Sequence, residues 1–202
     1  MRDRPDKRPA PPLDSEALQR LGLFYAGRYA TTRSKLAAYL RRKLRERGWS
    51  GSGQPEVDRL VERFAQLGYV DDKGFASART ASLLRRGFGE RRVKEALRGA
   101  GIAEEDSAEA RDISAEEALA AAHRFARRKR LGPYAGAVPD RAARDKAAAA
   151  MLRAGHPFDL VRSVLATRPE DLAEDLPEDL AEDLAEEPAE EPPAEPPEPD
   201  VP

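Results

Sequence analysis

From Asp14 onward apolar residues recur at intervals of three and four, and no stretch shows the two-residue alternation of a half-buried strand. The pattern predicts a chain of helices. Asp14 or Ser15 caps the first, which carries Leu18, Leu21 and Tyr25; Thr31 or Thr32 opens a second with Leu36, Leu40 and Leu44 on one stripe and Gly48 as its stop. The cleanest stripe is Val57, Leu60, Val61, Phe64 and Leu67, with Pro55 in the first turn and Gly68 after the last. Asp71 or Asp72 then caps a helix running to about Arg86, and Val93, Ala96, Leu97 and Ala100 form a further stripe ended by Gly101. Residues 103–110 predict one or two polar turns, and Ser114 with Glu117 fits a capping box for a helix to about Arg130. A Gly/Pro loop over Leu131–Val138 leads to a helix from Pro139 or Asp140 through Leu152, stopped by Gly155, and Pro157 starts a last one with Phe158, Val161 and Leu165.

The stripes repeat at a coarser level. Leu44 stands four residues before Gly48-Trp49, Leu97 four before Gly101-Ile102, and Met151 four before Gly155-His156. A helix precedes each of these segments and a shorter element follows it. The expectation is an all-α chain of three tandem three-helix units, at residues 14–68, 69–110 and 113–167. Units of this size bury too little apolar surface alone and must stack on their neighbours, which predicts an elongated, curved array. Residues 1–13, rich in Pro and charge, are expected to be disordered.

Composition changes the picture in one respect. The net charge of −2 hides a split, because residues 169–202 hold 15 of the 37 acidic residues and none of the 35 basic ones. The preceding 168 residues therefore carry 35 basic against 22 acidic, a net of +13. Charge alone fits either a surface for a polyanion or acidic protein face, or ordinary solvated Arg-rich helix faces. The segment 168–202 repeats Glu-Asp-Leu through residue 185 and then turns to Glu and Pro; acidic and without aromatics, it is expected to be disordered. It either solubilises the chain or folds back on the basic body and competes with its partner. No Cys is present, which excludes disulfides and thiolate chemistry and suits a reducing compartment. With no apolar run near the ~20 residues of a membrane span and no apolar signal core, the expected location is the cytoplasm.

Enzymatic constellations are missing: there is no phosphate-binding G-x-x-x-x-G-K-[ST] loop, no G-x-S-x-G elbow and no H-E-x-x-H helix. His123 and His156 sit in different units without evident ligand partners, and are expected at the surface or the edge of the core. Asp71 and Asp72 read as helix caps rather than an acid–base pair, and Gly87, Gly89 and Gly101 as turns that set helix angles. What remains is basic. Arg85 and Arg86 precede the Gly87-Phe88-Gly89 break, and Arg91, Arg92, Lys94 and Arg98 follow it. Arg124, Arg127 and Arg128 fall at i, i+3 and i+4, and Arg41, Arg42 and Arg45 decorate the first unit. Guanidinium forks suit phosphates and carboxylates, so these are the candidate contact residues of a binding protein that needs no cofactor.

The central stretch is also similar to a known family. Leu67-Gly68-Tyr69-Val70-Asp71-Asp72 with Phe75-Ala76, then Arg85-Arg86-Gly87-Phe88-Gly89, then Arg92-Val93, Leu97 and Gly101-Ile102 resemble the RecX family of recombinase regulators. The likeness spans about residues 14–167; it is sharpest over Gly68–Ile102 and loosest in the first unit, where Leu36 and Tyr39 stand in place of the usual Ser and Glu. It implies three tandem three-helix repeats and a non-enzymatic protein, expected to be a monomer. Such a protein binds RecA, lodges in the groove of the RecA–DNA filament, and inhibits ATP hydrolysis, strand exchange and filament growth. The alternative is a helical protein that binds DNA non-specifically and independently of RecA.

Overall fold

The computed structural model of the chain describes residues 11–168 and Leu172. Among these residues the helices are α1 (Ser15–Arg28), α2 (Arg33–Arg47), α3 (Val57–Gln66), α4 (Asp72–Arg85), α5 (Glu90–Gly99), α6 (Ala108–Glu116), α7 (Ala118–Lys129), α8 (Arg141–Arg153) and α9 (Phe158–Ala166). Single 3-10 turns occupy Glu105–Ser107 and Gly132–Tyr134. The all-helical reading holds: among the described residues extended pairing is limited to an isolated bridge between Leu13 and Trp49.

Short polar side chains start four of these helices. Asp14, Thr32, Asp71 and Asp140 each accept from the amide three residues on, at 2.8, 3.1, 3.0 and 2.7 Å, which satisfies a donor the helix itself leaves open. Helix ends are equally regular. Tyr69, Phe88, Ile102 and His156 send their amides to the carbonyls of Phe64, Leu83, Leu97 and Met151, five residues back, at 2.9, 3.0, 3.1 and 3.2 Å. The residue before each is a glycine in the left-handed region, as this type of helix end requires. α7 closes in the same way with Arg130 at φ 53°.

Three apolar clusters follow in chain order. The first gathers Leu18, Leu36, Leu40, Val61 and Phe64 from α1, α2 and α3. The second gathers Leu83, Leu84, Val93, Leu97 and Ala110 from α4, α5 and α6. The third gathers Phe125, Met151, Val161 and Val164 from α7, α8 and α9, and Phe88 packs against both the second and the third. Each fully buried aliphatic side chain contributes roughly 1.5–3 kcal/mol.

Five expectations change. Leu13, the last residue of the segment expected to be disordered, is fully buried and exchanges backbone bonds with Gly48 (3.0 Å) and Ser50 (2.8 Å). Ser114 does not cap a helix: it is 1% exposed inside α6, and α7 starts after Glu117 with no side-chain cap. Ala110 and Ile113 pack on the second cluster, and α6 runs on to Glu116 where polar turns ending at 110 were expected. Leu67 lies just past α3 and is 56% exposed, so it does not extend the buried stripe. Pro55 precedes the N-cap, Glu56, rather than lying within the first turn. Residues 1–10 and, save Leu172, the acidic stretch 169–202 lie outside the described residues.

Candidate functional site

At each junction the start of one unit's middle helix meets the end of the next unit's middle helix, and at the second α7 also packs on α4 and α6. At the first junction the start of α2 sits on the end of α5: Thr32 Oγ1 donates to the Ala100 carbonyl at 2.7 Å. Beside it the Arg33 amide donates to Asp72 Oδ1 at 2.8 Å and Arg33 Nε to Asp72 Oδ2 at 3.1 Å. Arg33 also pairs with Asp106, and more loosely with Glu62 at 3.8 Å. The Asp72 and Asp106 side chains are only 5% and 11% exposed, so charges this dry must be paired. The hydrogen bond to Asp72, with the three nearby carboxylates, raises the Arg33 pKa above its ordinary value. A side chain on Gly101 would strike Ser34 Oγ, 2.2 Å from the ideal Cβ.

The second junction repeats this with backbone alone. The amides of Gly89 and Arg91, at the start of α5, donate to the carbonyls of Ala154 and Gly155 at the end of α8, at 2.9 and 3.1 Å. An ideal Cβ on Gly89 would lie 2.4 Å from the Gly155 carbonyl carbon, and one on Gly87 would lie 2.7 Å from the Phe125 nitrogen. Glycine is required here by close approach. His156 Nε2 lies 3.1 Å from the Gly87 carbonyl and donates to it, and burial lowers the imidazole pKa. Arg128 reaches the Arg86 carbonyl at 2.5 Å and Arg91 the Leu152 carbonyl at 2.6 Å. At both junctions the amide end of one helix meets the carbonyl end of the next, the favourable alignment of helix dipoles. At the end of α2 it is the Leu13 amide that donates to the Gly48 carbonyl.

These contacts sort the predicted residues. Asp71 caps α4, but Asp72, expected beside it as a cap, turns away to hold Arg33. Gly87 ends α4 at φ 71° and, like Gly89, also lies at the junction. Arg86 lies 5.2 Å over the Phe88 ring. Arg124 has a side chain only 10% exposed and pairs with Glu117 at 3.2 Å, so it belongs to the fold rather than to an open surface. Arg41 pairs with Asp58 at 2.5 Å and Arg42 with Glu46 at 3.7 Å. Lys94 pairs with Glu90 at 2.6 Å, while Arg91 and Arg92 share Glu95 at 3.9 and 3.6 Å. Arg45, Arg85, Arg98 and Arg127 are exposed and form no ion pair among the described residues. Lys94 and Arg98 line a cleft of about 190 Å³ between α5 and α6, with Val93, Leu97, Arg111 and Ser114.

Both histidines, expected at the surface or core edge, are buried, His123 within 3.0 Å of the Tyr134 hydroxyl. The Arg33–Asp72–Asp106 cluster was missed. One signal for it was present: Arg33 follows the cap Thr32 directly, and a cation in a first helical turn opposes the dipole unless an acid from elsewhere holds it.

No protein-family model matches the chain. It is 30% identical over 181 residues to the regulatory protein RecX of Myxococcus xanthus (strain DK1622), covering 83% of this chain and 94% of the relative. The chain belongs to the RecX family. A second RecX, from Halorhodospira halophila, is 31% identical over 157 residues, covering 78% of this chain and 91% of that one. The crystal structure of RecX from Lactobacillus salivarius superposes with a TM-score of 0.56 at 17% identity, over 74% of this chain and 93% of that one. A further RecX crystal structure gives 0.55 at 18% identity, over 74% and 72%. At these identities the RecX structures speak for the fold alone. Among the described residues no helix is long and apolar enough to cross a membrane.

Proposed function

We propose that this RecX-family regulatory protein binds RecA by lying in the groove of the RecA–DNA filament, where it inhibits ATP hydrolysis and filament growth. The observation that carries this reading is how its cations are distributed and held. Arg45 on α2, Arg85 on α4, Arg98 on α5 and Arg127 on α7 are exposed without local ion pairs among the described residues. They span all three units, whose junctions are direct hydrogen bonds rather than flexible linkers. Such pre-organisation lowers the ordering cost of an extended interface, and guanidinium groups match both phosphates and protein carboxylates.

The test is RecA's DNA-dependent ATPase with the purified full chain added. Inhibition is expected, and no change at several-fold molar excess rejects the proposal. Titration of bare DNA across a salt series separates the RecA-independent reading. Tight binding with a steep negative slope of log K on log salt, strong enough to explain the inhibition by sequestering DNA, would favour plain DNA binding.

A further inference from the structure

Among the described residues nothing docks on the far end of the third unit. α2 and α5 each place their N-terminal end on the following unit, whereas among the described residues α8 has no such partner. Beside the start of α8 lies a groove of about 430 Å³, lined by Leu131, Ala135, Val138, Ala143, Ala147 and Leu165, with Arg130 and Arg144 at its edge. Val138 is 95% exposed there.

We propose that the acidic Glu-Asp-Leu repeat of the same chain, residues 170–185, seats in this groove. Three observations point to that occupant. The chain leaves the third unit at the groove itself: Leu165 lines it, and the last helix ends at Ala166. Leu172 lies six positions beyond Ala166, an extended reach of up to about 20 Å, ample for a return to the groove. Leu172, described within the repeat, is helical and half-buried.

The pattern of the repeat fits the groove's chemistry. Leu172, Leu176, Leu180 and Leu184 recur every four residues, each preceded by a Glu-Asp pair. Four-residue spacing puts leucines on one face of helical turns, with the carboxylates beside them. Pro177 divides the repeat into two short segments, and a proline is tolerated at the first position of the second. Leucines would cover Val138 and Leu165 while carboxylates meet Arg130 and Arg144. Asp140, the acid in the groove, is already committed to capping α8 through the Ala143 amide at 2.7 Å. The tail thus takes the place that the following unit takes at the first two junctions.

The chain has no native cysteine, so two introduced cysteines report on each other alone. Full-length A143C/L176C and A143C/L180C are compared under mild oxidation with R20C/L176C and R20C/L180C. Arg20 lies on α1, and Ala143 and Arg20 are both exposed, so neither substitution disturbs packing. The expected result is an intrachain disulfide in at least one A143C pair, formed ten-fold or more faster than in its R20C control. Rates within two-fold of the controls for both pairs overturn the proposal. So does a disulfide formed only between chains, which would mark the groove as a seat for a second copy.

Discussion

Asp72 gives both carboxylate oxygens to one residue of the preceding unit, taking the Arg33 amide at 2.8 Å and its Nε at 3.1 Å. Its neighbour Asp71 does the ordinary work of a helix cap, accepting from the Gly74 amide at 3.0 Å. Two adjacent aspartates thus hold different scales of structure, one helix and one junction. Asp72→Ala leaves a part-buried amide and a guanidinium without their acceptor, and is expected to cost about 2–3 kcal/mol. The Arg33 side chain is 39% exposed, which keeps the loss below that of a fully buried pair. Asp71→Ala should cost about 1 kcal/mol. Urea midpoints of the two variants check the order, and a larger loss for Asp71→Ala would contradict it.

Close backbone approach makes opposite predictions for glycines that look alike in the sequence. Gly89→Ala places a methyl 2.4 Å from the Gly155 backbone, where neither partner is a flexible side-chain end, so the second junction must open. A loss of about 3 kcal/mol is expected. A Cβ on Gly27 in α1 would meet nothing within 4 Å. Gly27→Ala should therefore stabilise by about 0.5–1 kcal/mol through helix propensity. Thermal unfolding of the two variants should move Tm in opposite directions.

Arg130 takes the left-handed conformation at φ 53° that glycine occupies at the ends of α3, α4, α5 and α8. A Cβ in that region costs roughly 1–2 kcal/mol. Arg130→Gly is expected to raise stability by about 1 kcal/mol in a denaturant titration, and a neutral or destabilising result would show that the Arg130 side chain offsets the strain.

Helix starts and stops were legible because they depend on local chemistry: Asp14, Thr32, Asp71 and Asp140 cap where short polar residues precede apolar periods. The three-fold recurrence around Gly48, Gly101 and Gly155 was legible for the same reason. Contacts across units were not. Whether Asp72 caps or reaches Arg33, 39 positions away, depends on how two units meet, and local spacing carries no such information. Charge counting likewise ranked Arg91, Arg92, Lys94 and Arg124 with Arg85 and Arg98. Only the fold shows that the first group has acids within reach, at Glu95, Glu90 and Glu117.

His156 ties the second junction to pH. Its Nε2 donates to the Gly87 carbonyl and its buried Nδ1 has no partner, so the neutral ring is the form that fits. Burial lowers its pKa from the ordinary 6.5. Above 6.5 both folded and unfolded chains hold the ring neutral, and it adds no pH dependence. As pH falls below 6.5 the unfolded chain takes up a proton that the folded chain resists, so stability declines until the folded pKa is passed. His156→Gln should flatten stability between pH 6.5 and 5 relative to the parent, measured by denaturant midpoints, at some cost in stability at pH 8. An unchanged acid slope would place the sensitivity elsewhere.

The cations differ in what a partner must displace. Lys94 is already paired with Glu90 at 2.6 Å, and Arg91 and Arg92 lie near Glu95, so a phosphate or carboxylate arriving there competes with an acid in place. Arg85, Arg98 and Arg127 pose no such competition among the described residues. Under the proposed function, Arg85→Glu, Arg98→Glu and Arg127→Glu should each weaken inhibition of RecA's ATPase by about five- to ten-fold, roughly 1–1.4 kcal/mol. Arg92→Glu and Lys94→Glu should weaken it less. Where the contact is to a DNA phosphate, the salt slope of binding should also fall by about one for each reversal. Arg124→Glu is the counter-case: with its side chain 10% exposed against Glu117, it should lower stability first, and activity only as the fold is lost. If reversals at Arg85, Arg98 and Arg127 leave inhibition intact while Lys94→Glu abolishes it, the contact lies at Lys94 rather than at the cations without ion pairs.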